Sequence, residues 1–345
     1  MADNVRTVLG LLPSGVKLFA VVKAGGYGHG ARPAATAALA AGAYGLGVAT
    51  VAEAIEVRDL CPHDRILVMG GLLPQEAPAA VESGAALTVS SLSLALALER
   101  AADRHRVQVH LKIDTGMGRF GCPPEDAPEI AGFIAASKHL ELAGTCSHFS
   151  SSDSDRRYTK VQLQRFLAAA QSLGVDPGLR HIANSGGALL HPEAALDAVR
   201  VGIALYGCED ARVRPVLSLR ARIAHLKTVA PGETVGYGRT WAADRHTEIA
   251  TVTMGYADGV HRARSGHGWA LVRGRRAPLV GMVSMDSFTL DVTAVPGVQV
   301  GDMVTLVGRD GEGRILAEEV AAWSGTVSYE VLTSIGNRVV RIHRD

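Results

Sequence analysis

The sequence predicts an α/β protein made of a (β/α)8 TIM-type barrel followed by a mainly β C-terminal domain. Short apolar runs rich in β-branched residues alternate with alanine-rich stretches of helical spacing over the first two thirds of the chain. The apolar runs contain few alternating polar positions, which is typical of parallel strands buried on both faces. After Gly207 short strands follow one another across glycine-rich turns, which is typical of an antiparallel domain.

The first region contains enough strands to close a barrel. A doubly wound open sheet is the alternative architecture, and the number of strand–helix repeats favours the barrel. The candidate strands span residues 17–22, 44–49, 65–69, 87–90, 107–114, 140–148, 179–184 and 199–201. The stretches with helical spacing include residues 51–60, 74–83, 92–104, 125–137 and 155–173.

The second region is predicted to contain six strands and a single helix, at residues 316–323. The strands span residues 217–229, 247–254, 270–273, 278–283, 288–292 and 303–307. The change of rhythm places the domain boundary near residues 207–216. We therefore expect a barrel domain over residues 1–210 and a β-rich domain over residues 211–345.

Composition excludes several classes of protein. The 345 residues are 47% hydrophobic and 20% charged, which excludes a disordered chain, and a formal net charge of +1 provides no general attraction for nucleic acid or a membrane surface. Four scattered cysteines support neither a disulfide scaffold nor a zinc ribbon, and no metal is expected. The first residues lack the pattern of a secretory signal, and every apolar run is shorter than the roughly 20 residues of a membrane span. We expect a cytoplasmic protein with a small-molecule substrate.

A lysine follows the first strand at the point where barrels carry their active sites. Lys23 ends the apolar run of residues 18–22 and precedes the glycine-rich segment AGGYGHG at residues 24–30. Catalytic groups of barrels lie at the carboxyl ends of the strands, and a lysine there can form a Schiff base. A surface lysine that merely ends a strand is the alternative interpretation.

The ends of the last strands have the composition of a phosphate site. Ser185 and two glycines follow the seventh strand, and Gly202 and Ile203 follow the eighth, which ends near Arg200. A serine hydroxyl and the N–H groups of a glycine turn suit a phosphate dianion. Ser185 could alternatively be an ordinary helix cap.

Further polar groups follow the fifth and sixth strands. Lys112, Asp114 and Arg119 cluster on and after the fifth strand, and His148 ends the sixth. A lysine, a phosphate cradle and planar groups around one barrel mouth together suggest pyridoxal 5′-phosphate (PLP) as the cofactor.

These residues lie in motifs that resemble the alanine racemases. KLFAVVKAGGYGHG at residues 17–30 closely resembles the PLP-attachment signature of that family. The likeness continues, in family order, through LKIDTGMGRFG (111–121), SHFSSSD (147–153), ANSGGAL (183–189), VRVGIALYG (199–207), GYGRTW (236–241), MGYADGVHR (254–262), VSMDS (283–287), GDMVTLVG (301–308) and YEVLTSI (329–335). The resemblance implies a fold-type III PLP racemase that interconverts L- and D-alanine. Such an enzyme would either supply D-alanine for peptidoglycan precursors or serve in catabolism.

The resemblance implies a two-base reaction in a homodimer. Lys23 would hold PLP and act as one base, and Tyr256 would act as the other, reaching in from the partner subunit. Inversion requires proton removal on one face of the carbon and delivery on the other, so two opposed bases are needed. Because Tyr256 and Met285 would act across subunits, two shared active sites follow. Without the family context, Tyr256 reads as an ordinary tyrosine at a strand end.

The resemblance also implies which residues bind the cofactor. Arg200 would face the pyridine nitrogen, which then stays unprotonated because arginine can only donate. His148 would pack against the pyridine ring. The phosphate would be bound by Tyr27, Ser185, Gly202, Ile203 and Tyr329.

Substrate binding is implied for Arg119 and Met285. Arg119 would contact the cofactor phenolic oxygen and the substrate carboxylate, and the Met285 N–H would complete the carboxylate site beside Asp286. In many family members the lysine that matches Lys112 is carbamylated and orients the arginine, an indirect role. An exposed lysine beside Asp114 is the alternative interpretation of Lys112.

The sequence departs from the family pattern at several positions. Gly25 stands where asparagine is common, Gly236 replaces a serine, and Met282 replaces an arginine near the mouth through which substrate enters. A preference shifted towards serine or another small amino acid is therefore an alternative to alanine. A W-x-E-I-D-L strand usually precedes the stretch matching residues 4–12 in the family, where it joins the C-terminal domain, and this sequence does not include it. Its absence would leave an edge of that domain unpaired, and the two interpretations are a truncated chain or a domain that closes differently.

Two rival functions use a similar barrel. A PLP-dependent decarboxylase of basic amino acids would release CO2 instead of exchanging the α-proton, and the tyrosine of GYADG argues against it. A noncatalytic PLP-binding protein is typically a lone barrel, and the region after Gly207 argues against that.

Overall fold

The protein consists of two compact units, which we describe from a computed structural model. It describes residues 1–103 and 106–344, and the units are Met1–Leu205 and Tyr206–Asp345. None of the helices within the described residues is long and apolar enough to cross a lipid bilayer. In the same residues, no group of three or more histidine, cysteine, aspartate or glutamate side chains could hold a metal ion.

Eight parallel strands form a nearly closed barrel in the first unit. They are β1 (Lys17–Val21), β2 (Gly45–Val48), β3 (Ile66–Val68), β4 (Ala86–Val89), β5 (Val107–Lys112), β6 (Leu140–Cys146), β7 (Leu179–His181) and β8 (Ala198–Val201). Strand β1 pairs with both β2 and β8. At the seam between β7 and β8, Asp197 N–H donates to Arg180 O (3.1 Å) and Arg200 N–H donates to Ala183 O (2.9 Å). The predicted barrel is confirmed, and the open-sheet alternative is wrong.

Nine α-helices accompany these strands within the described residues of the first unit. They are α1 (Ala2–Leu11), α2 (Lys23–Tyr27), α3 (Ala31–Ala40), α4 (Val51–Val57), α5 (Ala77–Glu82), α6 (Leu92–Ala101), α7 (Ala127–Ala136), α8 (Arg156–Gln171) and α9 (Ser185–Leu190). The five predicted helices are confirmed as shorter elements. The predicted end of one of them, Arg104, lies outside the described residues. Side-chain caps define the first turns of two of these helices. The Ser91 side chain accepts from Leu94 N–H at the start of α6, and the Asp155 side chain accepts from Tyr158 N–H at the start of α8.

The barrel interior combines an apolar layer with two imidazoles. The Phe19 ring lies 6.4 Å from the His110 ring and 6.0 Å from the His181 ring, centroid to centroid. Gly144 lies beside His110 in the β5–β6 register, and a Cβ at Gly144 would come within 2.5 Å of the imidazole. The glycine therefore provides the space that the buried histidine occupies.

The segment after β1 is a left-handed turn. Within α2, Ala24, Gly25 and Gly26 have φ of 52°, 58° and 61°, and Tyr27 continues with a φ of 51°. Left-handed backbone is strained for most L-residues, but glycine and asparagine adopt it readily. Gly25 and the asparagine common in the family are therefore conformationally equivalent.

The second unit contains a ring of six antiparallel strands. Its strands are β9 (Leu219–Val229), β10 (Thr234–Val235), β11 (Trp241–Ala242), β12 (Thr247–Val252), β13 (Trp269–Val272), β14 (Arg275–Val280), β15 (Phe288–Asp291), β16 (Met303–Asp310) and β17 (Gly313–Ile315). The ring runs β13–β14–β15–β12–β9–β16 and closes because β16 also pairs with β13. Each ring strand has a neighbour on both sides, which differs from the unpaired edge that we expected.

Among the residues that the structure describes in the second unit, the α-helices are α10 (Ala317–Ser324) and α11 (Ser328–Thr333). The expectation of a single helix is wrong, because α11 was not predicted. It has only six residues, three of which, Ser328, Val331 and Leu332, are buried. A single short turn of this kind has too few residues to show a helical period.

The left-handed turn predicts that Gly25→Asn is tolerated and that Gly25→Leu is not. A Cβ at Gly25 meets no atom within 4 Å, so the backbone conformation and not space sets the cost. The two side chains are similar in size, and we expect the leucine variant to be less stable by about 1 kcal/mol. Urea denaturation of both variants measures the difference. Equal stabilities would contradict the assigned backbone.

Candidate active site

Lys23 lies directly beyond the carboxyl end of β1, where a glutamate holds the adjacent backbone. Glu53 accepts hydrogen bonds from Ala24 N–H (2.8 Å) and Ala49 N–H (2.7 Å), which joins the segments after β1 and β2. Burial lowers the pKa of Lys23, Arg119 lowers it further, and Glu53 opposes them. The lowered pKa increases the fraction of neutral amine. We did not single out Glu53 from the sequence, although it forms a capping box with Thr50.

Lys112 is buried, so its interpretation as an exposed lysine is wrong. Its ammonium lies 5.6 Å from the centroid of the Phe120 ring. Burial lowers the pKa of Lys112, and among the charged groups Arg200, Arg119 and Lys23 lower it as well, whereas the nearby Cys146 thiol acts in the opposite direction. Four cationic side chains therefore interact at one end of the barrel. Such a site fits a ligand with several negative charges, as PLP and an amino-acid carboxylate would supply.

The loop that carries Arg119 is shaped by Asp114. Its carboxylate accepts hydrogen bonds from three successive backbone N–H groups, those of Gly116, Met117 and Gly118, each at 2.9 Å. The guanidinium of Arg119 lies 6.0 Å from the Phe120 ring centroid, on an exposed part of the loop. Asp114 thus organises the loop through its backbone and leaves the Arg119 side chain accessible.

The predicted phosphate residues of the first unit lie together. Ser185 Oγ accepts from Gly202 N–H (3.0 Å) and more weakly from Ala204 N–H (3.5 Å), and Ile203 between them is buried. A Cβ at Gly202 would overlap the Tyr27 hydroxyl. The end of β8 therefore lets a phenol and a hydroxyl approach the backbone closely, a cradle that a larger residue would fill.

Ser185 is not the cap of its helix. Helix α9 is capped by Asn184, whose side chain accepts from Gly187 N–H (2.9 Å) and from Ser152 Oγ–H (2.7 Å). The alternative interpretation of Ser185 is wrong, because its hydroxyl instead reaches the backbone after β8.

Arg200 is buried, and its guanidinium connects the ends of three strands. Nη2–H donates to Ser147 O (2.6 Å) and Ile182 O (3.2 Å), and Nη1–H donates to His181 O (3.0 Å). Nη2 also lies 3.2 Å from His148 Nδ1. Burial, followed by Arg200, lowers the pKa of His148 well below its ordinary value. His148 is therefore a neutral ring fixed beside a permanent cation.

Two further histidines, which the sequence did not single out, continue this network. Arg200 Nη1–H donates to His181 Nδ1, and His181 Nε2 lies 2.7 Å from His110 Nδ1. Because arginine can only donate, His181 carries its proton on Nε2 and donates it to His110. Burial lowers the pKa of His110 to about 3 and that of His181 well below its ordinary value. Both rings are therefore neutral.

The predicted site residues of the second unit lie on adjacent loops and a short helix. Tyr256 N–H donates to Ser284 O (3.0 Å), and Ala257 N–H donates to Met285 O (3.1 Å), so the Tyr256 and Met285 segments are bonded through their backbones. Tyr256 is 43% exposed and Met285 52% exposed. The neighbouring Asp286 is exposed, as is Tyr329 in the first turn of α11.

The two departures from the family pattern in this unit are neighbours. Gly236 has φ 81° and ψ −177°, a conformation open essentially to glycine alone, and a Cβ there would lie 3.1 Å from Met282 N. A serine could not occupy this backbone without a change of conformation. Glycine at position 236 therefore fits the backbone that this loop adopts beside Met282.

The buried histidines predict a loss of stability in acid. The unfolded chain binds protons on His110 below about pH 6.5, whereas the folded protein does so only near pH 3, so folding stability falls as the pH is lowered through that window. His110→Gln should reduce this slope by about 1 kcal/mol per pH unit. Urea denaturation between about pH 7 and pH 5 measures the slope. His63→Gln, at an exposed position, is the control, and an unchanged slope in His110→Gln would contradict the assignment.

Family comparisons cover both units. The profile described as "Alanine racemase, N-terminal domain" matches residues 1–210, and that of "Alanine racemase, C-terminal domain" matches residues 216–343. An alanine racemase of Symbiobacterium thermophilum is 41% identical over 340 residues, which cover 95% of this chain and 90% of that protein. An alanine racemase of Geobacter sulfurreducens is 41% identical over 360 residues, which cover 99% of this chain and 94% of that protein.

Solved structures agree with these matches. The alanine racemase of Streptomyces coelicolor A3(2) superposes with a TM-score of 0.92 at 36% identity, covering 99% of this chain and 94% of that chain. The Bacillus anthracis alanine racemase with bound L-Ala-P superposes with a TM-score of 0.90 at 36% identity, covering 98% of this chain and 91% of that chain. The chain is an isomerase of the racemase class and belongs to the alanine racemase family.

Proposed function

We propose that the protein interconverts L- and D-alanine with PLP as cofactor, using Lys23 and the Tyr256 of the partner subunit as its two bases. The observation that carries the proposal is a partly buried lysine of lowered pKa at the end of β1, in electrostatic contact with Arg119 and Lys112. Relatives named alanine racemase, 41% identical over nearly the whole chain, support alanine as the substrate.

The barrel offers partners for each part of the cofactor. Tyr27, Ser185, Gly202 and Ile203 would hold the phosphate, and Tyr329 is the further residue proposed to bind it. His148 would pack against the pyridine ring. Among the described residues, the hydrogen bonds of Arg200 use Nη1 and Nη2, so Nε–H would remain as a donor for the pyridine nitrogen. An arginine there keeps that nitrogen unprotonated, which limits electron withdrawal and so disfavours side reactions.

Proton transfer is assigned to Lys23 and Tyr256. When bound, PLP would withdraw electrons from the substrate Cα and so acidify its proton. The lowered pKa of Lys23 increases the fraction of neutral amine that can accept a proton, and the Tyr256 hydroxyl would exchange one on the opposite face. Removal on one face followed by delivery on the other inverts the carbon.

The substrate carboxylate is assigned to Arg119 and Met285. Arg119 offers a planar fork for a carboxylate, and within residues 1–103 and 106–344 the Met285 N–H has no hydrogen-bond partner. Lys112 is the proposed carbamylation site. Its lowered pKa favours the neutral amine, which can add to CO2 and release a proton, and the resulting carbamate would attract Arg119.

The exposure of Tyr256 and Met285 supports shared active sites. A phenol and a backbone donor that remain 43% and 52% exposed are accessible to a second copy of the chain. A two-fold homodimer would use the same pair twice.

Replacing Lys23 tests the proposal most directly. Lys23→Ala should lower kcat/KM by at least about a thousandfold, because it removes both the covalent attachment point and a base. Lys17→Ala, at the opposite end of β1, is the control and should retain activity. Solvent deuterium should enter Cα of L-alanine with the native protein, and borohydride reduction should fix PLP to the Lys23 peptide. Release of CO2, or PLP binding without exchange, would instead indicate the rival functions.

Mixing two inactive variants tests the shared site. A heterodimer of Lys23→Ala and Tyr256→Phe subunits contains one site with both native bases if Tyr256 acts across the interface. We expect activity to return when the two inactive proteins are unfolded and refolded together. Tyr237→Phe, at a residue 73% exposed in the same unit, is the control for loss of a surface phenol. Failure to recover activity would place both bases in one subunit.

A further inference from the structure

We propose that Arg338 is a positioning residue that fastens the Tyr256 loop (residues 255–259) to the Met285 loop (residues 284–287) and so fixes the phenol for proton transfer. The inference rests on the proposed function of Tyr256. Arg338 lies three residues after the YEVLTSI motif (329–335), and its role follows from contacts within the second unit.

The two loops pack backbone against backbone. Besides the hydrogen bonds from Tyr256 and Ala257 N–H, the Cα of Gly255 lies so close to the Met285 loop that a Cβ there would overlap the Ser284 and Met285 carbonyl oxygens. A shift of either loop would therefore move the other. The position of the phenol depends on what holds the pair in place.

Arg338 bridges the two loops through its planar fork. Its Nε–H donates to Asp258 Oδ1 (2.6 Å), and its Nη2–H donates to Asp258 Oδ2 (3.2 Å) and to Asp286 Oδ1 (2.5 Å). Asp258 Oδ2 also accepts from Gly255 N–H (2.8 Å). One guanidinium thus connects the aspartate two residues after Tyr256 with the aspartate directly after Met285.

The bridge starts from an anchored segment. Gly336 N–H donates to Asp258 O (3.3 Å), and Arg341 donates to the carbonyls of Ile335, Gly336 and Val339. Burial disfavours ionisation of Asp258, but the hydrogen bonds from Arg338 and the Gly255 N–H hold its pKa below the ordinary value. The pair is therefore charged at neutral pH.

The geometry calls for an arginine. A lysine ammonium is a point charge that can face one carboxylate well, whereas the fork reaches two carboxylates on separate loops. Because small misplacements of a reacting group reduce catalysis strongly, we expect loss of the bridge to affect proton transfer more than folding.

The test compares Arg338→Met and Arg338→Lys with Arg245→Met in the PLP-loaded full chain. Arg245 is a matched control because it also bridges two aspartates, Asp244 and Asp291, and its side chain is 59% exposed against 52% for Arg338. Amide hydrogen exchange of residues 255–257 and 284–287 reports on the loops without requiring activity. We expect it to be about tenfold faster in both Arg338 variants and unchanged in Arg245→Met.

Isotope effects report on the phenol. With alanine deuterated at Cα, the isotope effect on kcat/KM should increase in the Arg338 variants for the enantiomer whose proton Tyr256 removes, and not for the other. Unchanged amide exchange would overturn the bridge. Faster exchange with equal isotope effects for both enantiomers would overturn its link to Tyr256. If the native protein does not racemise alanine, the proposed function fails, and amide exchange still decides whether the bridge exists.

Discussion

The buried guanidinium of Arg200 constrains the whole end of the barrel. A permanent charge inside a protein needs hydrogen-bond partners, and Arg200 finds them for Nη1 and Nη2 in carbonyls from the chain after β6 and at the end of β7. In doing so it fixes strand ends that are distant in sequence. It also determines the protonation of its neighbours, because His181 must present an acceptor and His110 must accept in turn.

The same constraint shapes the electrostatics of the site. Arg200, Lys112, Arg119 and Lys23 influence one another, and burial lowers the pKa of both lysines. Each lysine is thereby closer to the neutral form, which a nucleophile, a base or a carbamylated amine requires. An anionic cofactor and substrate would relieve the accumulated positive charge, so the fold holds an arrangement that becomes more favourable on binding.

The second unit uses a different device. Its proposed residues lie on exposed loops, where a phenol would ordinarily move freely, yet the Tyr256 and Met285 loops share backbone hydrogen bonds and a bridging arginine. Single exposed ion pairs contribute little to folding, so the value of such a bridge lies in geometry. Rigid support under an exposed reactive group is what a shared active site requires.

The sequence by itself determined the barrel, the β-rich second region and most of the candidate residues, because these are written in local patterns. Strand period, turn glycines and the position of Lys23 after an apolar run can all be read within about ten residues. Other features depended on tertiary structure. The burial of Lys112, the His110–His181 contact across 71 residues, the contact of Ser185 Oγ with Gly202 N–H and the Arg338 bridge to Asp258 across 80 residues became visible only when distant segments met. Such pairings are decided by packing, which brings together side chains whose neighbours along the chain carry no trace of the contact.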